Sequence, residues 1–447
     1  MIALLLHVPL LALAAYGLYR RYWGSPLRRY FLPALALKLA AGVVLGLLYT
    51  YNYTYGGDTF LFHREAAAVA DWARTHRLPY LEFLWSGRPP DAATAAQVST
   101  LLQPRALVMV KLVSMLHLGT GNGYWLSGAW LSLFSFWGLW CLAHGLAVSF
   151  PATRKAAAAA FLFFPSVVFW SAGILKETVA AGIIGFAGAF LLRHWHTERL
   201  HVTVQGIGRG LGVAVGLAVL WQLKFYYCAV LALCGAAGWL AHAAARRFSI
   251  RTTAGQFFLF EGLLAGLAGM AFLLPGLSLG GLLAGLVGNH DAHLRANIAD
   301  PALVYAALQP TLGSVLTHAP KALAVGLFRP FPWEADGPLQ AWVGLENGLL
   351  LVAAGLAVLS LRRGRTRTHV LLLLATLHYI VILAVLLPLA APNYGEISRY
   401  KVAFLPFFVY VVLAALLPGK AGKGFTTEAQ VSRKGAQEAR KDRKEKN

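Results

Sequence analysis

Long apolar runs recur along the chain as far as residue 418, and they constrain the fold more than any other feature. A run of roughly 17–25 apolar residues is long enough to cross the hydrocarbon core of a bilayer as one helix. The sequence therefore predicts an all-α, polytopic transmembrane helical bundle over residues 1–418. We expect about eleven spans, at residues 2–19, 30–50, 123–148, 156–172, 177–192, 207–222, 225–244, 257–274, 339–361, 369–390 and 402–418.

The composition agrees with a membrane protein and argues against other classes. Charged residues make up only 13% of the chain, against roughly 25% in soluble domains. The net charge of +21 comes without a base-stacking motif or a basic groove, so no nucleic-acid partner is expected. The cysteines Cys141, Cys228 and Cys234 lie within apolar runs, which predicts packing rather than a disulfide framework or a metal site. No cofactor is expected.

Lysine and arginine mark alternate loops in this order of spans. Cytoplasmic loops of membrane proteins are enriched in these two residues, and one orientation puts every basic cluster inside. It predicts a multi-pass protein of the cell inner (cytoplasmic) membrane, with its N-terminus outside and its C-terminus in the cytoplasm. The tail at 419–447 is polar and basic, and we expect it to be disordered. The clusters are Arg20/Arg21/Arg28/Arg29, Arg154/Lys155, Arg193/Arg199, Arg246/Arg247/Arg251, Arg362/Arg363/Arg365/Arg367 and the tail.

Two large segments, 51–122 and 275–338, face outward in this orientation, and most acidic residues of the membrane body lie on that side. Within the first segment, residues 59–76 and 92–117 have the composition of amphipathic helices at the outer interface. Thr59 is a candidate cap for the first helix, since a threonine hydroxyl can accept from free amides at a helix start. The charges and aromatics gathered there predict that function lies on the outer face.

Four outer motifs place carboxylates beside cations. A charged residue at the mouth of a membrane helix usually marks a site. Each motif alone also has a structural interpretation, as a helix cap, a packed histidine, a snorkelling pair, an interfacial anchor or a headgroup contact. Together they suit a substrate with a phosphate and a group to be deprotonated. The motifs contain Asp58 with His63 and Arg64, Lys176 with Glu177, Arg329 with Glu334 and Asp336, and Glu396 with Arg399 and Lys401.

Transfer from a lipid-linked sugar is the chemistry that fits these residue types. A polyprenyl-phosphate sugar presents an anionic leaving group at the membrane surface, where arginine or lysine can bind the phosphate. The acceptor hydroxyl loses its proton during transfer, and a carboxylate within hydrogen-bond reach can take it. Inverting transfer needs only one such base, provided that the charge of the leaving phosphate is stabilised.

Three short motifs resemble the GT-C superfamily of polytopic glycosyltransferases, which use polyprenyl-phosphate sugars. The resemblance implies a GT-C-like bundle, an acidic catalytic residue in the first outer segment and a polyprenyl-phosphate-sugar donor. That segment lacks an adjacent Asp-Glu or Asp-x-Asp pair, so no metal is expected. The motifs are Gly56-Gly57-Asp58-Thr59, Pro165-Ser166 with Phe169-Trp170-Ser171 and Lys176-Glu177, and Arg399-Tyr400-Lys401 with Phe404-Leu405-Pro406-Phe407.

On this reading Asp58 is the general base, and the acceptor hydroxyl belongs to a glycan, a lipid or a protein. The donor phosphate is expected on Arg399 and Lys401, together with Lys176 or Arg329. Membrane lipid is the other expected partner. The remaining substrate contacts are expected from Glu177, Glu334, Asp336, His63 and Arg64.

Two other functions stay open. A lipid-linked glycan polymerase or ligase has similar outer loops but uses a pyrophosphate carrier. A lipid or glycan transporter or flippase would have ionisable residues near the bilayer midplane and paired repeats. Apart from Lys38 the predicted spans are nearly free of charge, and no repeat is visible.

Overall fold

The fold is that of a computed structural model, which describes residues 2–52, 57–88, 91–195, 204–274, 276–361 and 369–417. All regular structure in these ranges is helical, which confirms the all-α class. The predicted tail at 419–447 lies outside the described residues. The first helices are α1 (Ile2–Arg21), α2 (Phe31–Asn52), α3 (Gly57–Thr75), α4 (Arg77–Ser86), α5 (Ala92–Ala95), α6 (Pro104–Thr120), α7 (Tyr124–Ser149), α8 (Arg154–Ala158) and α9 (Pro165–Trp170).

The second half of the chain continues the bundle and ends on a bent pair of helices. Its helices are α10 (Lys176–Trp195), α11 (Val204–Arg247), α12 (Thr253–Phe272), α13 (Leu279–Arg295), α14 (Leu312–Phe328), α15 (Pro338–Leu361), α16 (Val370–Ala390), α17 (Tyr394–Tyr400) and α18 (Leu405–Leu416). Short 3₁₀ turns join several of them, and a π-helical turn at Ala159–Phe163 separates α8 from α9.

Eight helices of the described chain are long and apolar enough to cross a membrane, which is the architecture of a multi-pass membrane protein. They are α1, α2, α7, α10, α11, α12, α15 and α16. A ninth span is counted if the segments Tyr394–Ala403 and Leu405–Leu416, bent by 67°, cross together.

Two broken segments reduce the eleven predicted spans to nine, and the bent pair accounts for the difference between nine and eight. Predicted spans 207–222 and 225–244 lie in the single element α11, whose backbone leaves helical geometry at Lys224 (φ −148°, ψ 72°). Predicted span 156–172 is built from α8, the π-helical turn and α9. A proline inside a helix removes a hydrogen bond and clashes with the preceding turn, and Pro165 begins α9 where the π-helical turn ends. The count of eleven stays a prediction.

Close packing of α7 against α10 fixes the centre of the bundle. Small residues allow two membrane helices to approach, and a Cβ added at Gly138 would lie 2.1 Å from the Gly182 carbonyl oxygen. A Cβ at Gly185 would lie 2.4 Å from the carbonyl carbon of Gly138. Because both helices depend on this contact, it also fixes the position of the N-terminal end of α10.

The segment 51–122, which is predicted to face outward, forms a helical layer around α3 and α6. Helix α3 corresponds to the predicted helix at 59–76 but begins at Gly57. Thr59 therefore lies within the first turn, and its hydroxyl contacts the Tyr124 hydroxyl at 2.9 Å, so its predicted capping role is wrong. The predicted helix at 92–117 is divided into α5, a 3₁₀ turn and α6. Glu65 holds that turn, because it accepts from the backbone amides of Ser99 and Thr100.

The segment 275–338, also predicted to face outward, contains α13 and α14 and is hydrogen-bonded to the loop before α17. Asp300 accepts from the backbone amide of Tyr394 at 2.5 Å, and the Asn393 side chain donates to the Ile298 carbonyl at 2.6 Å. Burial raises the pKa of the Asp300 carboxyl, while the amide of Tyr394 opposes that shift. These bonds fix the start of α17, which carries part of the site described next.

Candidate functional site

Four charged residues that the sequence predicts as site residues meet Lys224 at one end of the bundle. Arg399 donates from Nη1 to Asp58 Oδ2 at 2.9 Å, and its Nε lies 3.8 Å from Glu177 Oε1. Glu177 Oε1 also lies 3.2 Å from Lys224 Nζ. We call Asp58, Lys176, Glu177, Lys224 and Arg399 the charged cluster. Its members come from α3, α10, the break in α11 and α17, which are distant in sequence.

Local sequence explains how two members of the charged cluster are presented. Gly57 adopts a positive φ of 55° at the start of α3, a conformation that glycine adopts at low cost. Asp58 then lies in the first turn, where the helix dipole favours a negative charge. Arg399 lies in the last turn of α17, whose N-cap Asn393 accepts from the amide of Glu396 at 3.1 Å.

Exposure differs sharply across the charged cluster. The side chains of Glu177 and Lys224 are 3% and 8% exposed, whereas that of Asp58 is 47% exposed. Arg399 lies between these extremes at 14%. Burying a charge is costly unless it is paired, and the buried members pair with one another. Asp58 therefore forms the open rim of the charged cluster, where a ligand can reach it.

Two cations of the charged cluster keep donors that the described residues do not use. Arg399 Nε is buried and has no hydrogen-bond partner in the described ranges. Lys176 lies 5.1 Å from the Phe62 ring centroid and feels the charges of its neighbours, but no described residue pairs with its ammonium. The charged cluster thus has one more positive than negative side chain. Because buried donors usually have partners, these groups suit an anionic ligand.

A network of buried hydrogen bonds holds the turn that precedes α10. Lys38, on α2, donates to the Ser171 hydroxyl, and Ser132 accepts from the amide of Gly173 at 2.9 Å. Gly173 has a positive φ of 69°, and a Cβ there would lie 3.0 Å from Leu45. Lys38, the charge that the sequence places within a predicted span, therefore stabilises the turn that positions Lys176.

Aromatic residues fix the break in α11 against α17. Lys224 Nζ lies 3.4 Å from the Tyr400 ring centroid, which is a cation–π contact. The Tyr227 hydroxyl donates to the Tyr400 carbonyl at 2.9 Å. Lys224 therefore contacts Glu177 and Tyr400 together, and it links three helices beneath Arg399.

The predicted phosphate ligands Arg329 and Lys401 belong to a separate buried network. Lys401 is 1% exposed and donates to the Arg329 carbonyl at 2.6 Å. The Glu334 carboxylate accepts hydrogen bonds from Arg329 Nε, at 3.0 Å, and from the Tyr394 hydroxyl, at 2.9 Å. Asn347 donates to the Pro330 carbonyl at 2.9 Å. These contacts hold the loop around Pro330 and direct Lys401 away from the surface where a lipid phosphate was expected.

Three other residues were predicted to contact substrate, namely His63, Arg64 and Asp336. Asp336 is exposed, and Arg64 is exposed on α3. His63 Nδ1 lies 3.3 Å from His117 Nε2. Burial, followed by the charge of Arg64, lowers the pKa of His63, and burial lowers the pKa of His117 to about 4. Two packed imidazoles with lowered pKa agree with the structural interpretation of His63.

Lys224 is the member of the charged cluster that the sequence pattern did not single out. It is one of the two residues, 223 and 224, that separate the predicted spans 207–222 and 225–244, where the sequence predicts a short loop. A lone lysine inside an apolar stretch of some forty residues, flanked by Tyr226 and Tyr227, is the signal that could have identified it. Such a residue is costly in a membrane span unless it has a partner.

Comparison with known proteins does not identify the chain. No protein family, curated protein or solved structure matches it. Within the described ranges, no group of three or more His, Cys, Asp or Glu side chains could hold a metal ion. The resemblance to the GT-C superfamily therefore stays a prediction, carried by the residues themselves.

Proposed function

We propose that this chain is a membrane glycosyltransferase of GT-C type, which moves a sugar from a polyprenyl-phosphate donor to an acceptor hydroxyl. One observation carries the proposal: the half-exposed Asp58 carboxylate contacts Arg399 at 2.9 Å. This contact joins a candidate base to a candidate phosphate ligand. The proposed location is the outer face of the inner membrane, with about eleven spans, an outside N-terminus and a cytoplasmic C-terminus.

The donor phosphate would bind between two cations of the charged cluster. Lys176 offers an ammonium that no described residue pairs with, and Arg399 offers the Nη1 that contacts the half-exposed Asp58. Arginine and lysine both bind phosphate strongly, and a guanidinium can do so with two parallel bonds. A phosphate on Arg399 would compete with Asp58 for the guanidinium, so donor binding would release the carboxylate toward the acceptor.

The transfer step then has a defined balance of bonds. Asp58 takes the proton of the acceptor hydroxyl as its oxygen forms a bond to the anomeric carbon. The bond from that carbon to the phosphate oxygen breaks, and the polyprenyl phosphate leaves with the electron pair. Arg399 and Lys176 stabilise the charge that develops on the leaving group. Attack opposite the leaving group makes the transfer inverting.

The positions of the other residues change the roles predicted for them. Lys401 and Arg329 serve as positioning residues, because one donates to the backbone of the other and both hold the loop around Pro330. Glu177 orients Arg399 and Lys224 rather than binding a sugar. Asp336 and Arg64 are exposed, which suits contacts to the acceptor.

A transporter or flippase is the rival that a specific observation favours. Glu261 on α12 lies 3.1 Å from His378 on α16, near the middle of both helices. Ionisable residues at that depth are typical of transport pathways, and this pair is an exception among spans that are otherwise nearly free of charge. A lipid-linked glycan polymerase or ligase would use the same charged cluster with a pyrophosphate carrier.

The test is Asp58→Asn, which keeps size and hydrogen bonding but removes proton acceptance. We expect transfer to fall by roughly 100- to 10,000-fold, the usual contribution of a general base, with normal membrane levels. Asp71→Asn is a matched control, because Asp71 lies on the same helix and its side chain is 61% exposed. Transfer is measured by mass analysis of surface glycans in cells that express each variant at equal levels. A nearly silent Asp58→Asn would refute the base and leave Asp58 with a structural role only, as the hydrogen-bond partner of Arg399.

A further inference from the structure

A second polar site lies at the opposite end of the bundle. A cavity of about 380 Å³ opens beside the C-terminal end of α11, the N-terminal ends of α12 and α16, and Trp195. In α10, Glu177 and Trp195 lie near opposite helix ends, which are about 27 Å apart at 1.5 Å per residue. That distance is close to the roughly 30 Å thickness of the hydrocarbon core. The cavity and the charged cluster therefore lie at opposite membrane faces.

The side chains around this cavity have one chemical character. Arg246 and Arg251 line it, as do His369, Gln256 and Ser249, and no described lining residue is acidic. We call this site the basic pocket. Arg251 lies just before α12, and His369 is the N-cap of α16. The two helices thus turn their positive N-terminal ends toward the arginines, which favours an anion.

The lining of the basic pocket also has an apolar side. Trp195, Ile250, Val370 and Leu371 line the same cavity as the arginines. Tryptophan is enriched where a membrane helix meets the interface. An anion that reaches this site from the membrane therefore carries an apolar part, which could lie along these side chains.

We propose that the basic pocket binds the phosphate of an anionic phospholipid. The positive lining selects the phosphate, and the apolar lining residues favour a lipid over free phosphate or a soluble phosphate ester. Basic pockets between membrane helices on the cytoplasmic side are known to bind lipid headgroups. The bound lipid would join the ends of α10, α11, α12 and α16. This inference does not depend on the activity of the charged cluster.

The experiment measures lipid retention by the full chain in detergent. Wild type and Arg246→Gln/Arg251→Gln are titrated with phosphatidylglycerol, and bound lipid is counted by native mass spectrometry. The control Arg154→Gln/Arg247→Gln removes two exposed arginines from the same basic face, neither of which lines the pocket. The basic tail is identical in every variant, so its own attraction for anionic lipid cancels.

We expect the pocket variant to bind phosphatidylglycerol about 25-fold more weakly, which is about five-fold for each arginine. The control should stay close to wild type, and phosphatidylcholine should bind weakly to all three proteins. Equal losses in the pocket and control variants would refute a defined site. Competition by glycerol phosphate as strong as that by phosphatidylglycerol would refute the lipid and identify a soluble phosphate ester as the ligand.

Discussion

Replacing Lys224 by methionine removes the cation that faces Glu177 while keeping a flexible apolar stem of similar length. The two groups lie 3.2 Å apart, and their side chains are 8% and 3% exposed. At an effective dielectric constant near 20, two unit charges at this distance attract by about 5 kcal/mol. Desolvation of both groups offsets much of that attraction, so the net contribution of the pair is smaller.

The loss of stability in Lys224→Met depends on the contacts that Glu177 keeps. Removing one partner of a buried pair usually destabilises a protein by about 3–5 kcal/mol. Glu177 keeps Arg399 Nε at 3.8 Å, so we expect the lower end, about 3 kcal/mol, for Lys224→Met and a similar loss for Glu177→Gln. The double variant should lose about 4 kcal/mol rather than the sum. The coupling energy would be about 2 kcal/mol, within the usual range for contacting residues.

The assay is a double-mutant cycle on the free energy of unfolding, measured by denaturant titration in detergent. The pair Arg88–Glu82 is a matched control, because its atoms lie closer, at 2.6 Å, but its side chains are 77% and 53% exposed. Exposed pairs contribute about 0–1 kcal/mol, so its coupling should be below that of the buried pair. Equal coupling in the two cycles would refute the buried contact between α10 and α11.

Three further predictions concern donor binding, topology and pH. Arg399→Ala should abolish donor use, and Arg399→Lys should not fully restore it, because lysine lacks the planar fork; unchanged apparent donor affinity and turnover in Arg399→Ala would contradict the phosphate role. Single cysteines near Arg88 and Asp300 should react with an impermeant thiol reagent in whole cells, and labelling only after lysis would reverse the orientation. His117 should make unfolding easier as pH falls from about 6.5 to 4, because its folded pKa is depressed to about 4 and the unfolded chain binds more protons in that window. The free energy of unfolding falls by at most about 3 kcal/mol over this window, and His63 contributes in the same direction. If the free energy of unfolding of His117→Gln had the same dependence on pH as that of wild type, the assignment to His117 would be contradicted.

The sequence predicted the members of the charged cluster that begin or end helices. Asp58, Lys176 and Glu177 stand at the ends of apolar runs, where a charge is easily recognised. Arg399 was recognised for the same reason, before the last apolar run. A common face follows from the span order, but mutual contact does not, because it depends on how α3, α10 and α17 pack.

The sequence did not predict which charges would be buried. Lys401 follows Arg399 by two residues, yet the 3₁₀ turn at Lys401–Ala403 directs it into the network around Pro330. Two residues advance a helix by about 200°, so neighbouring cations in one motif point to different sites. Lys224 was missed for the opposite reason, since a break inside an apolar stretch looks like a loop between two spans. Both errors arise from helix geometry that composition does not report.

The contact between Asp58 and Arg399 bears directly on whether the charged cluster is structural or functional. A purely structural arginine would have its donors used, as Arg329 does with Glu334. Arg399 instead keeps a buried Nε without a hydrogen-bond partner among the described residues, and its carboxylate partner Asp58 is 47% exposed. Leaving a buried donor unused costs about 1–3 kcal/mol, and Glu177 Oε1, at 3.8 Å, lies beyond hydrogen-bond distance of that Nε. In the proposed mechanism a donor phosphate displaces Asp58 from Arg399 Nη1, and the freed carboxylate lies on the exposed side of the charged cluster, where an acceptor hydroxyl can approach.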